Sequence, residues 1–299
     1  MVRAGTPNAA RQRSGTCQPP PAPREYRFAR FRRSGCSTGI CAAGTAVKKK
    51  ADSGLMLLKA NNLVKVYGGR TVVDHVSFEV GHKEVIGLLG RNGAGKTTTF
   101  RMIIGMVTPE SGQVLFDGHD ITHLPMYKRA RRGMGYLSQE PSVFLRLSVE
   151  NNLLAILEFT RRSRKERLAE AARLMEQFGL SHTRRQKAHT LSGGERRKLE
   201  IARSLITNPS LILLDEPFSG VDPIAVEDLQ KEIRQLRLQM DKAILITDHN
   251  VQRTLEVCDR ALIISDGKVL AQGTPRELIN NELVRQTYLG HSFKGDEFG

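Results

Sequence analysis

The sequence predicts an α/β fold in which short buried strands deliver loops to one edge of a parallel sheet, and three observations carry that expectation. Glu84-Val85-Ile86-Gly87-Leu88-Leu89 is an apolar run that ends in the glycine-rich stretch Gly90-Arg91-Asn92-Gly93-Ala94-Gly95-Lys96-Thr97-Thr98, with helical apolar spacing after it. Leu211-Ile212-Leu213-Leu214 is a second such run, closed by Asp215 and Glu216, and Ile244-Leu245-Ile246-Thr247 is a third, closed by Asp248 and His249. Continuous apolar runs of this length suit strands covered on both faces, whereas a half-exposed strand alternates.

In chain order, residues 1–54 stand apart. They hold Pro19 to Pro21, repeated arginines from Arg24 to Arg33, and Lys48 to Lys50. Eleven basic residues against Glu25 and Asp52 place +9 of the chain's net +15 there and leave +6 for the remainder. A segment with so little apolar periodicity is expected to be disordered. It reads as a basic arm for anionic lipid or nucleic acid, as an Arg-rich transit peptide, or as the product of an early start, since Met56 directly precedes the first strand pattern, Leu57 to Ala60. Cys17, Cys36 and Cys41 lie in this segment and Cys258 is alone beyond it, with no metal-ligand spacing, so free thiols in a reducing compartment are expected. The remaining ~235 residues suffice for one large α/β unit. No apolar run approaches the ~18–20 residues that cross a bilayer.

The stretch Gly90 to Thr97 fits G-x-x-x-x-G-K-[ST] in full. Its glycines let backbone N–H groups curl around phosphate oxygens, the following helix adds positive potential, Lys96 reaches the β- and γ-phosphates, and Thr97 offers its hydroxyl to Mg²⁺. An incidental glycine-rich turn would lack both the strand before it and the helix after it. That helix is expected over Thr97 to Met106, with Phe100, Ile103, Ile104 and Val107 inward. Asp215 is expected to hold the Mg²⁺ shell, while Glu216 orients and deprotonates an attacking water. Without a phosphate loop upstream, the same two acids would read as solvated groups at a strand end.

Three helices are expected between and beyond these strands. Val149 to Phe159 carries Leu153, Leu154, Ile156 and Leu157. Ser163-Arg164-Lys165-Glu166 is a capping box opening a helix with Leu168, Ala171, Ala172, Met175 and Phe178 apolar, stopped by Gly179. Ser192 and Glu195 form a second box before Leu199, Ala202, Leu205 and Ile206.

With Gly90 to Thr97, Leu191-Ser192-Gly193-Gly194-Glu195 and Leu211 to Glu216 in this order, the chain from about Leu57 to Gly290 resembles the nucleotide-binding subunits of ABC transporters. The resemblance implies a P-loop NTPase of ABC type: a RecA-like core, an antiparallel β subdomain and an inserted α-helical subdomain at about 140–195, within an ATPase domain of residues 55–290 followed by a short tail, 291–299. It implies ATP and Mg²⁺ as ligands and a homodimer in which Ser192, Gly193 and Gly194 of one subunit close on the γ-phosphate held by the other. By the same resemblance Tyr67 stacks on adenine, Gln139 touches Mg²⁺ and water, His249 contacts the γ-phosphate, and Ser219-Gly220-Val221-Asp222 crosses the dimer interface. The catalytic set so implied is Glu216, His249, Gln139 and Lys96, and the metal set Thr97, Gln139 and Asp215. Val143, Phe144, Leu145 and Arg146 fall near the groove that receives the membrane subunits' coupling helices, or are core and rim of one subunit.

Within the family, Phe218 after Glu216-Pro217, Asn250-Val251 after His249, and the closing Tyr288-Leu289-Gly290 resemble the ATP-binding subunits of lipopolysaccharide export. That implies a peripheral protein on the cytoplasmic face of a bacterial inner membrane, bound to two transmembrane permease subunits that extract lipopolysaccharide. Ser138 and Ser219 depart from the pattern, where proline and alanine are expected. The branched-chain amino acid importer's ATPase is the alternative of similar layout. A soluble, non-transport ABC ATPase acting on nucleic acid is a further one, but such proteins fuse two domains or insert coiled coils or zinc modules. This sequence has no heptad run and no cysteine cluster.

Overall fold

The computed structural model describes residues 56–289 except Pro141, so the expectations for residues 1–54 and 291–299 and for Gly290 lie outside the described residues. Chain order is β1 (Leu58–Tyr67), β2 (Arg70–Val80), β3 (Val85–Gly90), α1 (Lys96–Ile104), β4 (Ser111–Phe116), β5 (His119–Asp120), α2 (Met126–Arg131) and β6 (Met134–Leu137). Then follow α3 (Val149–Leu157), α4 (Arg164–Gln177), α5 (Gly193–Leu205), β7 (Leu211–Asp215), α6 (Pro223–Met240) and β8 (Ala243–Thr247). The chain closes with α7 (Val251–Leu255), β9 (Arg260–Ser265), β10 (Lys268–Gly273), α8 (Pro275–Asn280), α9 (Glu282–Val284) and a π-type turn over Arg285–Leu289.

The strands form two sheets. One is antiparallel in the order β2-β1-β4-β5; the other has the order β10-β9-β3-β8-β7-β6, parallel except for the antiparallel edge β10. The three apolar runs are its neighbours β3, β8 and β7, and every residue of all three is buried. Period-2 alternation sends Ile212, Leu214, Ile244 and Ile246 to a core shared with α3, α4, α5 and α6. Leu211, Leu213, Ala243 and Leu245 face a second core made with α1 and the antiparallel sheet. Both cores converge on the carboxyl edge, where β3, β7 and β8 release Gly90, Glu216 and Asp248. No helix among the described residues is long and apolar enough to cross a membrane.

Local rules account for most helix boundaries. Both capping boxes close, Ser163 with Glu166 and Ser192 with Glu195, each serine oxygen accepting the N3 amide while the glutamate accepts the serine amide. α1 begins at Lys96 and stops at Gly105, whose φ of 84° only glycine adopts freely, so Val107 packs from beyond the helix. The inward face of α4 is Ala171, Leu174, Met175 and Phe178, at i, i+3, i+4 and i+7, whereas Leu168 and Ala172 are exposed. Phe159 lies past the end of α3 and is 90% exposed, and Val143 belongs to the core. β1 runs well beyond Ala60 because bulges at its middle break the alternation that would mark it in sequence. Phe178 seals the helical core at 1% exposure, so Phe178→Ala should lower unfolding free energy by about 3–5 kcal/mol, read by urea denaturation.

One buried cation ties α1 to its surroundings. Arg129, 1% exposed on α2, donates from Nη1 to the carbonyls of Met102 (2.8 Å) and Ile103 (2.6 Å), from Nε to Leu124 (2.7 Å) and from Nη2 to Thr122 (2.8 Å). Burial pushes its pKa down to about 10, so it stays charged at neutral pH.

Candidate functional site

A cleft of about 490 Å³ opens where the carboxyl edge meets α1, within the range of small-molecule sites. Asn92, Gly93, Gly95, Lys96, Thr97 and Thr98 form one wall, and Gln139, Glu216 and His249 form another. The remaining wall residue, Val72, comes from β2, which sequence reading passed over because a valine in a strand carries no chemical signal.

The glycines are demanded by backbone geometry. Gly95 has φ 103°, and a Cβ there would sit 2.6 Å from the Val72 carbonyl; at Gly90 it would collide with the carbonyl oxygen of Ile264. Lys96 is 6% exposed, and its ammonium donates to the carbonyls of Gly90 (2.6 Å) and Arg91 (3.0 Å). Two of its three donors thus brace the loop, leaving the third without a partner in the loop. Burial lowers the Lys96 pKa, opposed by the charges of Glu216, Asp248 and Asp215. Gly90, Arg91 and Ala94 belong to the loop without lining the cleft.

Glu216 adopts φ 44°, a left-handed conformation uncommon for a side-chain-bearing residue, held by its own amide donating to the Thr247 carbonyl (2.8 Å). This turn aims its carboxylate into the cleft. Gln139 Nε2 donates to Glu216 Oε2 at 3.0 Å, and His249 Nδ1 lies 3.5 Å from the same oxygen. Gln139 and His249 therefore meet Glu216 at one carboxylate oxygen. Asp248, fully buried, accepts from the amides of Phe218 (3.1 Å) and Asn250 (2.8 Å), and so ties the turn that carries His249 to the loop that follows Glu216.

A clasp from α5 holds Gln139. Arg197 and Glu200 pair at 2.8 Å, both buried; Arg197 donates to the Ser138 carbonyl (3.0 Å), and Glu200 accepts the Ser142 amide (3.0 Å). The two flanks of Gln139 are thus tied to one helix. At the loop's entry, the Tyr288 hydroxyl accepts the Gly90 amide at 2.9 Å, and burial pushes the Tyr288 pKa up to about 12.

Five further sequence-derived positions lie outside the cleft wall. Tyr67 ends β1, 46% exposed, with the Lys65 ammonium 5.4 Å from its ring centroid, so one face is taken by a cation and the ring remains available for stacking. Ser192, Gly193 and Gly194 open α5 and do not line the cleft of their own chain; nothing lies within 4 Å of where a Gly193 Cβ would be. Asp215 ends β7, 5% exposed, with one carboxylate oxygen accepting from Thr247 Oγ1 at 2.6 Å.

Among the described residues there is no group of three or more His, Cys, Asp or Glu side chains able to hold a metal ion. A hydroxyl, a carboxamide and a carboxylate at Thr97, Gln139 and Asp215 are a hard-oxygen set too sparse to form a cage, which fits Mg²⁺ completed by phosphates and water.

A second cavity, of about 250 Å³, is lined by Ile104, Met126, Ala130, Tyr136, Arg203 and Thr207 among others, with predominantly apolar walls. Phe144 flanks it, with the Arg203 guanidinium 4.7 Å from its ring centroid. The Tyr136 ring is 6.0 Å from Phe100 of α1.

A family model described as ABC transporter matches residues 73–219. The chain is 52% identical over 241 residues to the lipopolysaccharide export system ATP-binding protein LptB of Haemophilus influenzae, covering 80% of this chain and 100% of that protein. It is likewise 52% identical over 237 residues to a probable ABC transporter ATP-binding protein of Azorhizobium caulinodans, covering 79% of this chain and 84% of that protein. Among solved structures, the ADP conformation of an ATP-binding cassette of an ABC transporter is similar with a TM-score of 0.71 at 28% identity, covering 79% of this chain and all of that one.

Proposed function

The chain belongs to the ABC transporter family, and from that premise we propose that it is the ATP-hydrolysing subunit of a lipopolysaccharide exporter, acting as a homodimer beneath two permease subunits at the cytoplasmic face of the inner membrane. The cargo rests on the 52% identity to export ATPases spanning their full length. The observation that carries the chemistry is the convergence of Gln139 and His249 on the Glu216 carboxylate in the cleft beside Lys96. Residues 55–290 are the ATPase domain in this reading, with its helical arm at about 140–195.

Adenine stacks on the free face of Tyr67, and the triphosphate lies along the amides of Gly90 to Thr98 with the third Lys96 donor on the β- and γ-oxygens. Thr97, Gln139 and Asp215 would hold Mg²⁺, which would supply neutralising charge to the triphosphate. Gln139 orients the water whose proton passes to Glu216 as its oxygen bonds to the γ-phosphorus and the bond to the ADP oxygen breaks. His249 donates to the γ-phosphate. The exposed amides at the start of α5 lie outside the cleft of their own chain, so Ser192 and Gly194 complete the site of a second copy.

The second cavity is where a permease helix docks. It has apolar walls, a cationic rim at Arg203 and exposed Met126 and Phe144 at its edge. The test is to purify the tagged chain gently from native membranes and identify its companions by mass spectrometry. Two lipopolysaccharide-export permeases are expected; amino acid permeases would replace the cargo, and no membrane protein at all would sink the transporter reading.

A further inference from the structure

The docking cavity and the phosphate-binding helix share one short element. On α2, Met126 and Ala130, four residues apart and so on one face, line the cavity. Arg129, between them in sequence, is turned inward to the carbonyls of Met102 and Ile103 in the last turn of α1. α1 is nine residues, about 14 Å, long, and its other end is Lys96 in the cleft. Ile104, its last residue, itself lines the cavity.

A buried guanidinium bonded only to backbone carbonyls is an expensive arrangement when no carboxylate pairs with it directly. Arg129 has four carbonyls, with the charge of Asp120 near but not bonded to it, and Gly105 must lack a side chain for it to pass, since a Cβ there would sit 2.6 Å from Arg129 Nε. A helix stop alone needs no such group; the Gly105 amide already returns to the Arg101 carbonyl. What the fork adds is a rigid tie between α2, the loop at Thr122 to Leu124, and the end of α1.

We propose that Arg129 is a positioning residue that transmits occupancy of the docking cavity to the phosphate-binding loop, by fixing α2 and α1 so that they move as one body. The inference rests on the docking reading given above. An occupant pressing on Met126 and Ala130 displaces α2; through the guanidinium fork the same displacement reaches α1 and, at its far end, Lys96. Coupling is reciprocal, so ATP binding changes partner affinity by the same factor. The route through Gln139 runs instead along α5, which brings Arg203 to the same cavity and holds the flanks of Gln139 through Arg197 and Glu200.

The experiment compares the affinity of a fluorescent ATP analogue for the full chain alone and for the chain co-purified with its membrane partners. Wild type is expected to differ between the two by about fivefold or more. Arg129→Lys keeps the charge but has no planar fork to span four carbonyls, and should reduce the difference to less than about twofold while the free chain still binds the analogue. A wild-type difference retained in Arg129→Lys overturns the proposal. Met126→Ala tests the docking reading separately: partners that co-purify with it undiminished contradict that reading and with it the premise of the proposal, whereas loss of partners with Met126→Ala together with a retained difference in Arg129→Lys overturns the proposal alone. Should Arg129→Lys fail to fold, amide hydrogen exchange of wild-type residues 97–105 decides; protection is expected to change on partner docking, and unchanged exchange overturns the tie.

Discussion

Glu216→Gln is expected to bind ATP with near wild-type affinity, to accumulate as a dimer in ATP, and to turn over at least about 10²-fold more slowly, the usual span for losing a positioned general base. The substitution preserves size and the acceptor for Gln139 Nε2, which contacts Oε2 at 3.0 Å, so the cleft wall survives. What disappears is the carboxylate that takes the water's proton. Because binding is separate from proton transfer, the closed dimer forms and is not released. The measurement pairs light scattering in ATP with phosphate release; unchanged hydrolysis would remove Glu216 from its role.

Lys96→Ala acts one step earlier. The ammonium braces Gly90 and Arg91 through their carbonyls and offers its remaining donor to phosphate. A hydrogen bond to a charged group contributes about 1.5–3 kcal/mol, so ATP affinity should fall by roughly 10- to 100-fold. The loop also loses its internal tie, and the buried carboxylates near Lys96 lose a counter-charge. Equilibrium binding of the ATP analogue reads the effect, and affinity within about twofold of wild type would contradict it.

The two substitutions separate a binding group from a chemical one. They are legible together because each sits in a motif whose local sequence dictates its geometry. Gly90 to Thr97 needs only a strand, a glycine loop and a helix in succession, and the apolar runs of β3, β7 and β8 show themselves as unbroken. Both capping boxes were equally local. Other parts of the site depend on residues far apart in sequence. Glu200 reaches Ser142 across 58 positions and Tyr288 reaches Gly90 across 198, and neither distance leaves a mark on either segment. Arg197 and Arg129 each stand beside other basic residues, where nothing local sets them apart, yet both are buried. Leu168 misled for the opposite reason: its apolar character suggested the core, but the packed face of α4 runs through Leu174. The adverse φ of Glu216 is likewise invisible until the turn after β7 is seen.

The central claim is that each ATP site is shared between two copies, with the cleft of one completed by Ser192 and Gly194 of the other. Mixing two inactive variants tests it most directly. Lys96→Ala disables the phosphate loop and Ser192→Arg disables the start of α5, so neither chain alone should hydrolyse ATP. Mixed dimers contain one site built from the intact loop of the Ser192→Arg chain and the intact α5 of the Lys96→Ala chain. The account predicts that phosphate release reappears on mixing and rises with the fraction of mixed dimer. A mixture as inactive as its components would contradict it and place the start of α5 with the cleft of its own chain.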